Sequence, residues 1–303
     1  MTQAEQGPGP VLVGVDFSDS SLGVAEWVRR HFAPGLELVF LHSLVTPEWP
    51  VFLSRKLSLP DSLMDNARAG AEQRLRDLAL GAPDARISTR VTLGRPADGL
   101  ADAARELHAE LIAVGKHGER GRVRGYTGST TDRLVRISPV PVLTVGGQFS
   151  GAPKKILVAL TFSSITPLIV EWTRKLSERF GATVFGIHVI GSAVLGHVLS
   201  MSEVTEGKSL TQPEIDSMFS DERDGWRKQL LDAGIPTDRV RTEIAFGDVA
   251  QEVLAMAGRE GADLIVMGSH ASAVRRALLG SSATAVLREA EVPVLVVLAP
   301  DDD

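Results

Sequence analysis

The chain repeats itself, and a repeat at this scale limits the possible folds more than any other feature it carries. From Ala109 it reads A-E-L-I-A-V-G-K-H-G, and from Ala262 A-D-L-I-V-M-G-S-H-A, an offset of 153 residues. Gly94 in T-L-G-R-P-A-D matches Gly247 in A-F-G-D-V-A-Q at the same offset. The closing segments, V-P-V-L-T-V from Val140 and V-P-V-L-V-V from Val292, are offset by 152, so the second copy is one residue short between the two blocks. The opening segments correspond too: V-L-V-G-V-D-F-S from Val11 and I-L-V-A-L-T-F-S from Ile156. A chain of 303 residues has room for two domains of about 100–200 residues. The repeat places them at 1–148 and 153–303, with the Gly- and Pro-containing stretch from Gly146 to Lys155 as the joint.

Within each copy, apolar runs alternate with helical patterns. In the first copy, Val11 to Val15, Leu38 to Leu41, Ile87 to Leu93, Leu111 to Val114 and Val142 to Val145 read as strands. The runs are continuous rather than alternating, which suggests strands covered on both faces. Leu22, Ala25, Val28 and Phe32 mark one helix, Leu100, Ala103 and Leu107 another, and Ser129 to Ile137 a short fourth. The second copy repeats the plan with strands near Ile156, Val184, Val240, Leu264 and Val294. The expected fold is α/β: two repeated open, parallel, five-stranded sheets with helices on both faces. A ligand should then sit outside the carboxyl ends of the strands, where the strand order reverses.

Composition narrows the function. The 32 Lys and Arg against 38 Asp and Glu give a net charge of -6, which argues against a partner in nucleic acid or an anionic membrane. The absence of cysteine removes disulfides, thiolate catalysis and thiolate metal sites. The N-terminal M-T-Q-A-E-Q-G-P-G-P lacks the features of a signal peptide, and no apolar stretch has the length of a membrane span. The expected location is cytoplasmic.

The residues that carry chemistry follow the fourth strand: G-K-H-G-E-R-G-R-V-R-G-Y-T-G-S-T-T, from Gly115 to Thr131. Gly115 and Gly118 are three apart, nine residues separate Gly118 from Gly128, and Ser129 opens the next helix. Glycine lets backbone approach phosphate closely, and a helix start offers free N–H groups and the positive end of the helix dipole. Lys116, His117, Arg120, Arg122 and Arg124 add positive charge. The alternative is a glycine-rich loop with a capping serine. There is no G-x-x-x-x-G-K-[ST] P-loop and no G-x-G-x-x-G after the first strand.

With these residues in view, the chain resembles a tandem member of the universal stress protein family, with one family domain in each half. The family motif G-x2-G-x9-G-[ST] is matched by Gly115, Gly118, Gly128 and Ser129; the V-D-x-S that ends its first strand by Val15, Asp16 and Ser18; the L-H of its second strand by Leu41 and His42. The resemblance implies a Rossmann-like sheet of the adenine nucleotide alpha hydrolase type and ATP, with or without Mg2+, as ligand. Asp16 would then meet the adenine or ribose edge with Gly14 and Val15 beside it, and backbone near Ser43 would meet adenine. Val114, Gly115 and Gly118 would line the ribose and first phosphate; Gly128, Ser129 and Thr130 the outer phosphates. Asp16 has a plainer alternative role, capping the helix near Asp19. His42 and its repeat His188 read as structural.

The second copy departs from this pattern. Thr161 stands in place of Asp16, Ala271 replaces the second glycine, and the loop from Gly268 to Gly280 is one residue short. An ATP site is expected in the first copy and not in the second, although Gly280-Ser281-Ser282 still makes a helix start able to hold an anion. Between the second strand and next helix of the first copy, Pro47, Pro50 and Pro60 preclude a regular element, and Trp49, Val51, Phe52 and Leu53 form either a lid or contact face, or fold back on the core. The matching stretch, Gly191 to Leu210, is Gly- and Ser-rich.

The expected function is that of an ATP-binding regulator of stress or dormancy physiology, in which nucleotide biases conformation or the binding of an unidentified protein partner and is hydrolysed slowly at most. An ATP-using enzyme would need a water-positioning base and a metal carboxylate near the outer phosphates; Asp132 is nearby, but a single carboxylate past a helix start is weak evidence for one. A scaffold with a vestigial site is the third alternative. The two near-identical terminal strands are apolar, so each is an aggregation hazard unless paired or covered; Pro141 and Pro293 sit at their starts, where proline is tolerated. Pairing these edges would make the halves an intramolecular pseudo-twofold pair, with further homodimerisation open.

Overall fold

A computed structural model describes residues 8–33, 35–45, 61–80, 86–116, 128–146, 151–194, 196–197, 200, 211–269 and 280–298. The chain divides into two compact units, Met1–Ser150 and Gly151–Asp303.

The first unit runs β1 (Val11–Gly14), α1 (Asp19–Phe32), β2 (Leu38–Leu44), α2 (Asp61–Leu80), β3 (Ile87–Leu93), α3 (Pro96–Glu106), β4 (Leu111–Gly115), α4 (Ser129–Ile137) and β5 (Val142–Val145). Its strands lie in the order β3-β2-β1-β4-β5 and all neighbouring pairs are parallel. Crossovers between parallel strands are right-handed. The steps β1 to β2 and β2 to β3 go one way and β3 to β4 and β4 to β5 the other, which puts α1 and α2 on one face and α3 and α4 on the opposite face. The order reverses between β1 and β4.

Burial follows that topology. Leu12, Leu38, Phe40, Leu111, Ile112 and Leu143 are fully buried, as expected for strands covered on both faces. The edge strand β3 differs, with Ser88 and Leu93 exposed and its other residues half-buried, because it has one neighbour in the sheet. The α1 stripe is also wider than the sequence pattern: Val24 and Trp27 join Ala25, Val28 and Phe32 in the core, while Leu22 is half-buried. Long α2 is anchored by Ala71 and Leu75.

The second unit repeats this order as β6 (Lys155–Leu160), α5 (Thr166–Phe180), β7 (Thr183–Ile190), α6 (Gln212–Met218), α7 (Ser220–Asp232), β8 (Val240–Phe246), α8 (Val249–Glu260), β9 (Leu264–Gly268), α9 (Ser281–Glu289) and β10 (Val294–Val297). Its strand order is β8-β7-β6-β9-β10, again parallel. No helix among the described residues is long and apolar enough to cross a membrane.

Candidate functional site

The reversal between β1 and β4 positions two backbone structures at the carboxyl ends of adjacent strands. Val13 is in register with Ala113, so Gly14 and Val114 stand side by side, about 4.8 Å apart by ordinary strand spacing. A Cβ on Gly14 would lie 3.0 Å from both Leu100 Cδ1 and Val114 Cγ1. Glycine at this position is therefore set by α3 lying close on the sheet. In the second unit Ala159 occupies the place, and the smaller Val253 stands at the position of Leu100.

Past Gly14 the chain leaves the sheet in a tight turn. Buried Val15 still donates its N–H to Leu41 O at 2.8 Å. The Asp16 carboxylate accepts from the Ser18 N–H at 3.0 Å and from the Ser18 hydroxyl at 2.5 Å. The N-cap of α1 is Ser18, whose Oγ accepts from the Ser21 N–H at 3.2 Å. Asp16 is thus held beside the helix start and does not cap it. Phe17, between them, has φ 63, a left-handed conformation that costs a residue other than glycine about 1–3 kcal/mol. Its ring packs 4.7 Å from the His42 ring, and the Arg74 guanidinium lies 3.9 Å from its centroid. His42 Nδ1 is 2.7 Å from Val15 O; facing a carbonyl, that nitrogen is the donor. The repeat histidine makes the same contact, His188 Nδ1 to Leu160 O at 2.9 Å, so both rings pin the end of the first strand of their unit.

Ser43 is buried near the end of β2, opposite Thr92 in β3, and their hydroxyls are 2.8 Å apart. Above them sits Gly99 of α3, where a Cβ would be 2.7 Å from Thr92 Oγ1 and 3.1 Å from Ser43 Oγ. Gly99 belongs to none of the motifs above. Its signal was a glycine inside an otherwise regular helical stretch.

On the β4 side, Val114 is buried and Gly115 half-buried. The Lys116 N–H continues the sheet by donating to Val145 O at 3.1 Å, and Lys116 O accepts from the Gly128 N–H at 3.1 Å. That bond brings the chain back to the strand end and starts α4 there. Gly128, the N-cap, supplies no side-chain cap. The first helical bond is from the Asp132 N–H to Gly128 O at 3.0 Å, so the amides of Ser129, Thr130 and Thr131 precede the ladder at the positive end of the helix. Ser129 is exposed and Thr130 half-buried. Buried Thr131 donates its hydroxyl to Gly115 O at 3.1 Å, locking the helix start to the strand end. The two copies differ at this position, where the second unit has Ala283, and that difference is its signal in the sequence. Gly118, His117, Arg120, Arg122 and Arg124 lie outside the described residues, as do Pro47 to Leu53, Pro60, Ala271 and most of the stretch from Val198 to Leu210.

Asp132 is paired to Arg136 at 3.3 Å, one turn along α4. Among the described residues no cluster of three or more His, Asp or Glu could hold a metal ion.

The second unit keeps the frame and changes the lining. Thr161 O accepts from the Thr166 hydroxyl, and with no acid at the strand end the Ser163 hydroxyl is left without a partner. A Cβ on Gly268 would be 2.7 Å from Ile169 Cδ1 and 3.2 Å from Ile165 Cγ2. This glycine is accounted for by the close approach of α5, with no ligand required. The helix start at Gly280 is also uncapped by any side chain, but it lacks the hydroxyl that Thr131 supplies in the first unit. His188 Nε2 lies 3.2 Å from Glu222, and Phe162 packs 4.5 Å from Trp226.

A doubly wound parallel sheet whose strand-end turns and helix start meet at the reversal of strand order defines a Rossmann-like α/β protein. The universal stress protein family model matches residues 9–146 and 153–297, and the chain belongs to that family. It is 28% identical over 250 residues to a universal stress protein of Mycobacterium tuberculosis, covering 76% of this chain and 83% of that protein. With a universal stress protein of Mycolicibacterium smegmatis the identity is 25% over 300 residues, covering 95% and 96%. The crystal structure of a universal stress protein from Archaeoglobus fulgidus superposes with a TM-score of 0.68 at 21% identity, covering 97% of this chain and 98% of that one; it shares the fold.

Proposed function

We propose that the first unit binds ATP as a regulatory ligand and that the second unit does not bind it in the same way. The observation that carries this reading is the construction at the β1–β4 reversal. On one side a carboxylate, Asp16, is fixed by two hydrogen bonds from Ser18. On the other an uncapped helix start is drawn to the strand end by the Gly128–Lys116 and Thr131–Gly115 bonds. A fixed carboxylate suits ribose hydroxyls or an exocyclic amine, and the amides of Ser129 and Thr130 with the Ser129 hydroxyl suit phosphate oxygens. Gly14, Val15 and Ser43 would border the base end, with Val114, Gly115 and Gly118 along the ribose and first phosphate. Lys116 adds a cation where the phosphates would lie.

The same geometry favours a ligand over a substrate. The ion pair to Arg136 engages Asp132, an acid that a phosphotransferase or hydrolase could otherwise use beside the helix start, and any Mg2+ would arrive on the phosphates. Nucleotide would then act by biasing the first unit between conformations that differ in affinity for a protein partner, with hydrolysis slow at most.

Mass spectrometry of nucleotide released from the purified chain, followed by equilibrium dialysis against Mg-ATP, tests the reading. The expected result is an adenine nucleotide that co-purifies and rebinds saturably, with little turnover on the dialysis timescale. Absence of saturable binding at millimolar ATP would overturn it, and sustained multiple turnover would move the protein to the enzyme class.

A further inference from the structure

We infer that Arg74, on α2, is a positioning residue for the nucleotide site of the first unit, acting through Phe17 on the Asp16 carboxylate; the inference rests on the ATP reading above. Phe17 is held left-handed at φ 63 in the one turn that orients Asp16. A non-glycine residue stays in that region only where its surroundings over-determine it. The Phe17 ring is in contact with groups from two other elements: the Arg74 guanidinium 3.9 Å from the centroid and the His42 ring at 4.7 Å. His42 is itself fixed to Val15 O. Arg74 has no carboxylate partner among the described residues, although its helix neighbours pair locally, Arg68 and Arg76 with Glu72. Its charge is directed at the ring, where a guanidinium is attracted by the π face.

The second unit supplies an internal comparison. Phe162 stands in the place of Phe17, but it is not among the residues with positive φ. It is 70% exposed and packs on Trp226 and His188. The strand-end acid is absent there, replaced by Thr161. Among the described residues, the cation over the ring and the left-handed turn occur together with the carboxylate in the first unit and are missing together with it in the second. A clasp needed only for packing would have no reason to follow the acid.

Without the clasp, Phe17 is free to relax toward negative φ, which swings Asp16 away from Ser18 and from the ligand. Arg74 is exposed, so its truncation leaves the core untouched. Isothermal titration of the full chain with Mg-ATP is run on wild type, Arg74→Ala, Asp16→Asn and the double variant, with thermal melts confirming that each is folded. Arg74→Ala is expected to weaken ATP about fivefold and Arg74→Lys, which keeps a cation over the ring, less than about twofold. The double variant is expected to bind no more weakly than Asp16→Asn, because a residue acting through another adds nothing once that other is gone. Phe17→Leu, which offers the guanidinium no ring face, is expected to reproduce the Arg74→Ala loss. Binding by Arg74→Ala within twofold of wild type, losses that multiply in the double variant, or a loss in Arg74→Ala without one in Asp16→Asn overturns the inference while leaving ATP binding in place. Failure of wild type itself to bind ATP overturns both.

Discussion

Replacing Gly99 by Ala sets two physical effects of opposite sign against each other. Helix propensity favours the change, since alanine in a helix interior is better than glycine by about 1 kcal/mol. Packing opposes it. The new methyl would sit 2.7 Å from Thr92 Oγ1, 3.1 Å from Ser43 Oγ and 3.4 Å from Thr92 Cβ. Thr92 is β-branched and on a strand, so it cannot swing clear as a long flexible side chain could. Overpacking costs about 1–3 kcal/mol, and losing the 2.8 Å Ser43–Thr92 hydrogen bond about 0.5–1.5 kcal/mol more. Packing wins, with a net destabilisation centred near 2 kcal/mol, or about 4–8 °C in the melting temperature of a unit of this size. Gly70, on exposed α2, is the control: nothing lies within 4 Å of its Cβ, so Gly70→Ala should stabilise by about 0.5–1 kcal/mol. Calorimetry is the suitable assay, because a chain of two units need not melt in one two-state step. Adding Thr92→Ala removes the blocking hydroxyl and should shrink the cost of Gly99→Ala. A Gly99→Ala protein melting at or above wild type, as Gly70→Ala should, would refute the packing argument and the tight seating of α3 over Ser43.

Three further outcomes are expected. The double change Gly128→Val and Ser129→Val puts branched bulk where phosphate must approach backbone, and it should weaken ATP more than tenfold, about 1.4 kcal/mol, by equilibrium dialysis; unchanged binding would remove the phosphate assignment. Calorimetric titration should return one ATP per chain, and two equivalent sites would contradict the reading of Thr161, Ala271 and the shortened second loop. Hydrogen bonding from Arg174 holds the Glu171 carboxyl below its ordinary value, so the pair contributes stability above the usual carboxylate range and loses it as pH falls through that depressed value. The pair is solvent-screened, so Glu171→Gln should cost less than about 1 kcal/mol at neutral pH and nothing in strong acid, which denaturant titration at two pH values would check.

The frame of the fold is written in the local pattern of residues. Apolar runs at strand length alternating with helical stripes leave a parallel α/β sheet as the way to bury both faces, and the repeat showed that the chain does this twice. Strands Ile87–Leu93 and Val142–Val145 and helix Ser129–Ile137 were legible to the residue, because glycine, proline and serine punctuate them and those signals are local. The spacing of Gly115, Gly118, Gly128 and Ser129 was legible for the same reason. What holds the candidate site in shape is set by contacts made across the fold. The Gly128–Lys116 and Thr131–Gly115 bonds, the seating of Gly99 over Ser43 and Thr92, and the clasp of Arg74 and His42 on Phe17 each join residues distant in sequence. Gly115 and Gly268 look equivalent as letters, yet Gly268 is explained by Ile165 and Ile169 pressing on it. A contact of that kind depends on which side chain the neighbouring helix presents, and no local pattern in the sequence encodes it.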